Sequence, residues 1–574
     1  MTGQIAARVR LAIAGGLGGA LVWAVFQAGE KGWIGHYPAF ALFGLVLAGF
    51  GALLAMAGPI GLVRALPRAF GLGLLVAGLI GLTALRWEDA EDMFNGPIPA
   101  LALLTVAALP VPFLIAAART SWRDYPTLFL EAWSIVLRGV AAAAFTGLVW
   151  LVIYLSDEVL RIVGIDAIRQ LLDHEVVPMV LTGAVFGLGM AVIHDLADLL
   201  SPYVALRVFR LFLPVVLAVM AVFLVALPFR GLDGLAGGLS PATLLLTMMA
   251  GGIALVSIAI DQTDADATQS RLLVRCAKGM ALVLPVVAGL ALYAIWVRLA
   301  DHGWSPERLF ILLVAGVGLV YGLVYALAVL RGPGWMERIR QGNIRIALGI
   351  IALAALWLTP VLNAERISAE SQLARFEAGA GGVETLDLYA LRSWGKPGAA
   401  VIAALEEKAK APGQEALAAA LAGQPAGPVV DREALVAGLI AAMPVQPATA
   451  TGTRDTLLRA VDDYQLQDWN QVCEGPDTGA PRCLMVVADL LPDRPGEEAM
   501  LFLQRSPDYV EISGLYLDDG GNPVLRTASH PDGRYPDAAE AATLLRQFRE
   551  TPPPVTAVPL NQIGTGATGL IFLP

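Results

Sequence analysis

Before residue 363 the chain is a succession of apolar runs, and each is long enough to cross a bilayer core of about 30 Å as a helix. There are about eleven, centred on 9–28, 38–57, 68–86, 97–118, 136–156, 177–194, 206–229, 241–261, 277–297, 309–330 and 345–362. This patterning leaves few fold classes open. In hydrocarbon every backbone N–H and C=O must be satisfied within the protein, so runs of this length predict a helical bundle that spans a membrane. Composition agrees: 57% of the 574 residues are hydrophobic, 15% are charged, and the mean hydropathy is +0.66. Arg8 and Arg10 precede the first run as in a signal peptide. No small-x-small cleavage site follows, so the run reads as a retained helix.

Lys and Arg in the connecting loops set the orientation. One set holds Arg8 and Arg10, Arg64 and Arg68, Arg119, Arg123 and Arg138, Arg207 and Arg210, Arg271, Arg275 and Lys278, and Arg331, Arg338, Arg340 and Arg345. The alternate set holds Lys31, Arg86, Arg161, Arg169, Arg230, Arg298 and Arg308, so the count is 16 against 7. The first set is expected in the cytoplasm, and an odd number of spans then carries the C-terminal part outside. In a bacterial inner membrane that side is the periplasm, where disulfides form. Cys473 and Cys483 bracket "EGPDTGAPR" and are expected to be bridged there, the other reading being two unpaired thiols. Cys276, at the cytoplasmic end of a span, is expected to be free.

Pumps and ion-coupled transporters keep ionisable residues inside their spans. Here the middle of each span lacks Asp, Glu, Lys, Arg and His, and the polar residues are Thr146, Thr182, Thr247, Ser257, Tyr321 and Tyr325. Three G-x-x-x-G pairs, Gly15/Gly19, Gly183/Gly187 and Gly318/Gly322, are expected to pack helices inside one bundle. Pro110 and Pro112 should kink or interrupt the fourth span. His36, His174 and His302 share predicted periplasmic loops with several carboxylates and are the metal candidates. None has local ligand spacing, so no metal is assigned. His194 and Asp198 read as an i,i+4 pair. The segments 121–133 and 157–177 read as amphipathic helices lying in the interface or capping the bundle.

Residues 363–574 hold 16 Lys plus Arg against 28 Asp plus Glu, a net −12 that argues against anionic lipid headgroups and nucleic acid as partners of this domain. The expected domains are 1–362, a transmembrane helical domain; 363–445, a periplasmic helical segment; and 446–574, a periplasmic α+β domain with a small, mainly antiparallel sheet. In the last, strands are predicted in "CLMVVADLL", "EEAMLFLQ", "DYVEISGLYL", "PVLRTAS" and "GLIFLP", with a hairpin turn at "DDGGN". Asp431 is expected to cap the helix "DREALVAGLIAAM" and Gly395 to end another, with "GQPAGP" as a linker. The acidic segment around Asp489, Asp493, Glu497 and Glu498 departs from a calcium loop at Leu491 and Arg494 and reads as a turn. His530 sits in a Pro/Gly/Asp loop. No G-x-S-x-G, H-E-x-x-H or P-loop occurs.

Four stretches carry a likeness: "LYAIWVRLADHGWSPERLF" (292–310), "NAERISAESQLARFEAG", "LDLYALRSWGKPGAAVIAAL" and "CLMVVADLLPDRPGEEAMLF". On these the chain resembles the domain-of-unknown-function family 4153 of bacterial polytopic inner-membrane proteins. The resemblance implies a fold and a location, with no activity and no site residue. The reading is therefore an integral inner-membrane protein acting as a non-enzymatic envelope binding or scaffold factor. A permease for a small neutral or lipidic solute is the alternative, and an intramembrane enzyme the second. The expected partners are the lipid bilayer and, through the periplasmic domain, another envelope protein; no cofactor is implied.

Overall fold

A computed structural model describes residues 2–574 apart from 89, 196–201, 231–240, 380–381, 384–385, 423–431, 474–481, 492–495, 507–508, 519, 532–533, 558–561, 564–569 and 572–574. The chain divides into two compact units, 1–424 and 425–574. In the first, the helices are α1 Thr2–Glu30, α2 His36–Ile60, α3 Leu62–Ala84, α4 Pro97–Ala108, α5 Pro110–Arg119, α6 Tyr125–Ile162, α7 Ala167–Leu172, α8 Val176–Asp195, α9 Pro202–Arg210, α10 Phe212–Arg230, α11 Pro241–Ile260, α12 Arg271–His302, α13 Pro306–Leu330 and α14 Trp335–Trp357. They are followed by α15 Ala364–Glu377, α16 Leu388–Ser393, α17 Gly395–Ala409 and α18 Glu415–Leu421. Among the described residues eleven helical segments are long and apolar enough to cross a membrane, one of them formed by α4 with α5 and one by the end of α9 with α10. Large apolar side chains point away from the protein: Val63, Phe229 and Leu330 are 88%, 85% and 71% exposed. Water would not tolerate such a surface and hydrocarbon does. This is a multi-pass membrane protein.

Several boundaries differ from the sequence reading, each for a physical reason. Most of segment 121–133 and the first part of 157–177 are not separate interfacial helices, and the rest of 157–177 holds only the short α7 and the first residues of α8. Residues 125–162 form one helix of 38 residues, because nothing between the amphipathic starts and the apolar centre breaks it. The last span begins at Trp335 rather than 345, so Arg338, Arg340 and Arg345 lie in its first turns and not in a loop. Helices α15 to α18, expected in an outer segment of 363–445, belong to the first unit. Gly395 stands just past the end of α16 with φ +57°, the helix-ending place expected for it, and also opens α17; a Cβ there would stand 2.7 Å from the carbonyl oxygen of Arg86. Pro110 does interrupt the fourth span, splitting α4 from α5.

Three cores hold the bundle. One lies among α10 to α14, a second among α1, α2, α3, α5, α6 and α8, and a third joins α2, α3 and α4 to α13 and α14. Glycine sets the closest approach. A Cβ on Gly15 would lie 2.0 Å from the Gly183 carbonyl oxygen, and one on Gly183 2.2 Å from that of Gly15. Gly19 and Gly187 meet the backbones of Met179 and Leu11 in the same way. The two G-x-x-x-G pairs thus form one seam between α1 and α8, and Gly318 and Gly322 receive Met249 and Pro285.

The second unit is α+β. Its helices are α19 Arg432–Ala442, α20 Thr451–Ala460, α21 Asp463–Cys473 and α22 Ala538–Glu550. A five-stranded sheet runs in sequence order: β1 Val445–Gln446, β2 Cys483–Ala488, β3 Glu498–Ser506, β4 Tyr509–Leu517 and β5 Pro523–Thr527. Among the described residues only β1 pairs in parallel, and it had no sequence signal because it is two residues long. A separate pair, β6 Gln562–Ile563 and β7 Leu570–Ile571, is antiparallel. On one face Met485, Val487 and Leu501 pack under α19 to α21; on the other, Leu484, Val486 and Phe502 pack on α22. Burial on both faces explains why β2 is an unbroken apolar run. Asp431, the linker 423–428, Asp493, Arg494 and the segment 474–481 lie outside the described residues. Glu498 accepts from the amides of Leu490 and Leu491 at 2.8 and 2.9 Å.

Cys473 ends α21, Cys483 opens β2, and a disulfide joins them with their Cα atoms 5.4 Å apart; Cys276 is free. The bridge ties the helical layer to the sheet. Protein purified without reductant should therefore alkylate at Cys276 alone. Cys473→Ser should lower the second unit's unfolding free energy by about 2–3 kcal/mol, the chain entropy of so short a loop. Full alkylation of Cys473 and Cys483 before reduction would remove the bridge from the account.

Candidate functional site

A helix leaves its last carbonyls without intrahelical donors, and burying such an end is costly unless donors arrive from elsewhere. The C-terminus of α11 is buried: Ile258, Ala259, Ile260 and Asp261 are at most 3% exposed. Arg210 Nε donates to the Ile258 carbonyl at 3.0 Å, and the Thr268 amide to that of Ala259 at 3.0 Å. Arg340 donates to the carbonyls of Ile260 and Asp261 at 2.7 and 3.0 Å. Asp261 turns the chain with φ +50°, a conformation Asp tolerates, and its carboxylate takes the Arg210 guanidinium. Arg340 also reaches Asp264 at 2.7 Å. Beside them the Thr263 hydroxyl, first, holds Asp266 below the usual carboxylate range against partial desolvation, helped by Gln262, Arg210 and Arg340. Two cations at a helix C-terminus also oppose its dipole favourably.

The same device recurs. Arg86 donates to the carbonyls of Trp357 and Thr359 after α14 and pairs with Glu365 at 3.2 Å. Burial lowers its affinity for the proton and Glu365 restores part of it. Arg338 donates to Ala328, Gly332 and Pro333 at the end of α13. Above the α11 clamp lies a polar network between spans. Ser257 Oγ and Tyr325 OH are 2.8 Å apart, Tyr325 donates to Asn343 Oδ1 at 2.8 Å, and Asn343 Nδ2 donates to Tyr125 at 3.1 Å. By contrast Thr146 and Thr247 bond back to their own helices, and Thr182 accepts from Trp150. The sequence singled out Ser257 and Tyr325 but not Asn343, which fell in a region read as a loop, or Tyr125, which fell in a segment read as an amphipathic helix outside the spans.

Four cavities adjoin along α13 and α14. The first, of about 880 Å³, is a groove between these helices with Leu313, Val317 and Val324 on one wall and Ile346, Ile350 and Leu353 on the other. These residues recur at helical spacing, so each wall is one face of one helix. Gly316 and Gly349 open the groove: a Cβ on either would meet nothing within 4 Å. At one end stand Arg331, Arg338 and Arg345. There Gln341 and Arg345 also line a polar cavity of about 860 Å³ with Arg123, Asp124, Glu337 and Arg340. At the other end Leu313, Val317, Ile350 and Leu353 also wall an apolar cavity of about 220 Å³. That one shares Trp357 with a cavity of about 510 Å³ bordered by Trp87, Trp394, Glu307 and Glu365. The arrangement can hold a molecule with a polar end and a long apolar body.

The histidines predicted from sequence are not brought together. His36 Nδ1 lies 3.0 Å from Glu91, and the His302 carbonyl accepts from Arg308 and Gln372. His174 lies in the turn between α7 and α8, exposed. Among the described residues no group of three or more His, Cys, Asp or Glu is placed to hold a metal. His194 faces Arg138 Nη1 at 3.1 Å, beside Glu131; Asp198 lies outside the described residues. His530 stands 3.3 Å from Glu540, whose carboxyl the Arg534 guanidinium holds down to about 2.

Removing one partner of the buried pair should cost much more than removing an exposed one. Asp261→Asn is expected to lower stability by about 3 kcal/mol or more, and Asp264→Asn, whose side chain is 73% exposed, by less than about 1 kcal/mol. Unfolding of both variants in micelles measures this; equal losses would contradict the clamp. Compared with known proteins, the chain matches no family model, no curated protein and no solved structure, so the site is read from its own residues.

Proposed function

We propose that this membrane protein is a non-enzymatic binding factor of the bacterial inner membrane whose bundle seats a lipid-like amphiphile between α13 and α14. The observation that carries the reading is the groove. Its walls are aliphatic, two glycines keep it open, and its polar groups gather at one end. A water-soluble ligand would find little to hydrogen-bond along such walls, whereas a hydrocarbon chain loses nothing there. The clamps around α11 and α14 fix the helices on which the groove depends. In this reading the second unit is a periplasmic scaffold or docking domain. The 16-to-7 arginine and lysine asymmetry supports that side, and so does a disulfide, which persists in oxidising compartments.

A permease for a lipidic solute is the second reading. It is favoured by one observation: cavities adjoin from the polar end at Arg340 to the aromatic end at Trp394.

Two experiments test the proposal. Native mass spectrometry of the full chain taken from its own membrane should find retained lipid, and Gly316→Leu with Gly349→Leu should abolish most of it. Equal retention by the filled variant would overturn the binding site. Alkaline phosphatase fused after Asn363 should be active and fused after Gly332 inactive; the reverse would overturn the orientation and the periplasmic scaffold.

A further inference from the structure

We propose that the occupant of the α13–α14 groove is an acidic phospholipid, with its phosphate headgroup held between Arg331 and Arg345. This rests on the lipid-seating reading and adds to it the class of headgroup.

Within the groove the charge is one-sided; the carboxylates Asp124, Asp264 and Glu337 line the adjoining polar cavity, where Arg123 and Arg340 also stand. Three arginines line it and no carboxylate does. Arg338 gives its hydrogen bonds to neutral carbonyls, which leave its charge uncancelled. Arg331 and Arg345 are exposed, and neither has a carboxylate partner among the described residues. Glu337, the nearest acid in sequence, is engaged elsewhere: it accepts from Gln341 at 2.9 Å and lies 3.6 Å from Arg340. Arginine suits a phosphate because its planar fork presents paired donors.

The rest of the groove has the form of a tail site. Arg338 and Leu353 are fifteen residues apart on α14, so the groove runs about 22 Å along the helix, most of one bilayer core. It then meets the small apolar cavity at Leu101 and Phe310. A headgroup at Arg331 and Arg345 therefore places an acyl chain against Val324, Ile346 and Leu353. A zwitterionic lipid would fill the same walls, but its ammonium would meet three uncancelled positive charges.

The test uses the full chain, delipidated and then offered phosphatidylglycerol and phosphatidylcholine of the same acyl composition in nanodiscs, with retained lipid read by native mass spectrometry. The native protein should prefer phosphatidylglycerol on the order of tenfold, the effect of a few basic residues on acidic lipid. Arg331→Gln with Arg345→Gln should bring the two lipids near parity while lipid is still retained. Arg331→Lys with Arg345→Lys should keep most of the preference. An intact Cys473–Cys483 bridge and an unchanged melting temperature verify that the variants are folded. No preference in the native protein, or one unchanged in the glutamine variant, would overturn the headgroup assignment. In that case, loss of both lipids in the Gly316→Leu, Gly349→Leu variant would leave the seating reading standing. Retention unaffected by that filling would defeat both, as would a dimer whose interface excludes lipid from the groove.

Discussion

The buried end of α11 is the point on which the bundle turns. Hydrocarbon supplies no donors, so four carbonyls there need protein partners. Two arginines and one loop amide supply them, and Asp261 balances the charge that the arginines bring. Arg210 comes from α9 and Arg340 from α14, so a single cap fixes three segments that are far apart in sequence. Arg86 does the same for α14, and Arg338 for α13. The charged residues of the membrane unit therefore gather at helix ends, where they replace water, and leave the middle of the spans to packing.

Much of this was legible in the sequence, and the reason is length. A run of twenty apolar residues has few alternatives, and all eleven were found. At the start of α13 Ser305 accepts from the Arg308 amide, and Pro306 and Glu307 follow, a local pattern that suits a helix N-terminus. The glycine pairs pointed to close packing, and Gly15 and Gly183 provide it. The spacing of Cys473 and Cys483 permitted the bridge that now joins α21 to β2.

What was hidden has a common cause. The arginine caps act on backbone carbonyls, which carry no residue signature, over separations such as the 271 residues between Arg86 and Trp357. Charge at the start of α14, "WMERIRQGN", made a helix look like a loop and concealed Asn343 and the basic end of the groove. The acidic loop after α11 held a clue. Three aspartates at 261, 264 and 266 sit in the face otherwise rich in arginine, and such a mismatch marks a place where charges are paired. The groove itself belongs to two helices at once, so no single run of sequence could reveal it.

The same helices meet two demands: ends sealed by arginine, and an open face between α13 and α14 that a lipid can fill. A cryo-electron microscopy map of the full chain in nanodiscs made from its own membrane tests the second. An elongated density is expected beside Gly316 and Gly349, with its broad end at Arg331 and Arg345. A map in which α13 and α14 close on each other, with side chains filling the space and no density between them, would contradict it.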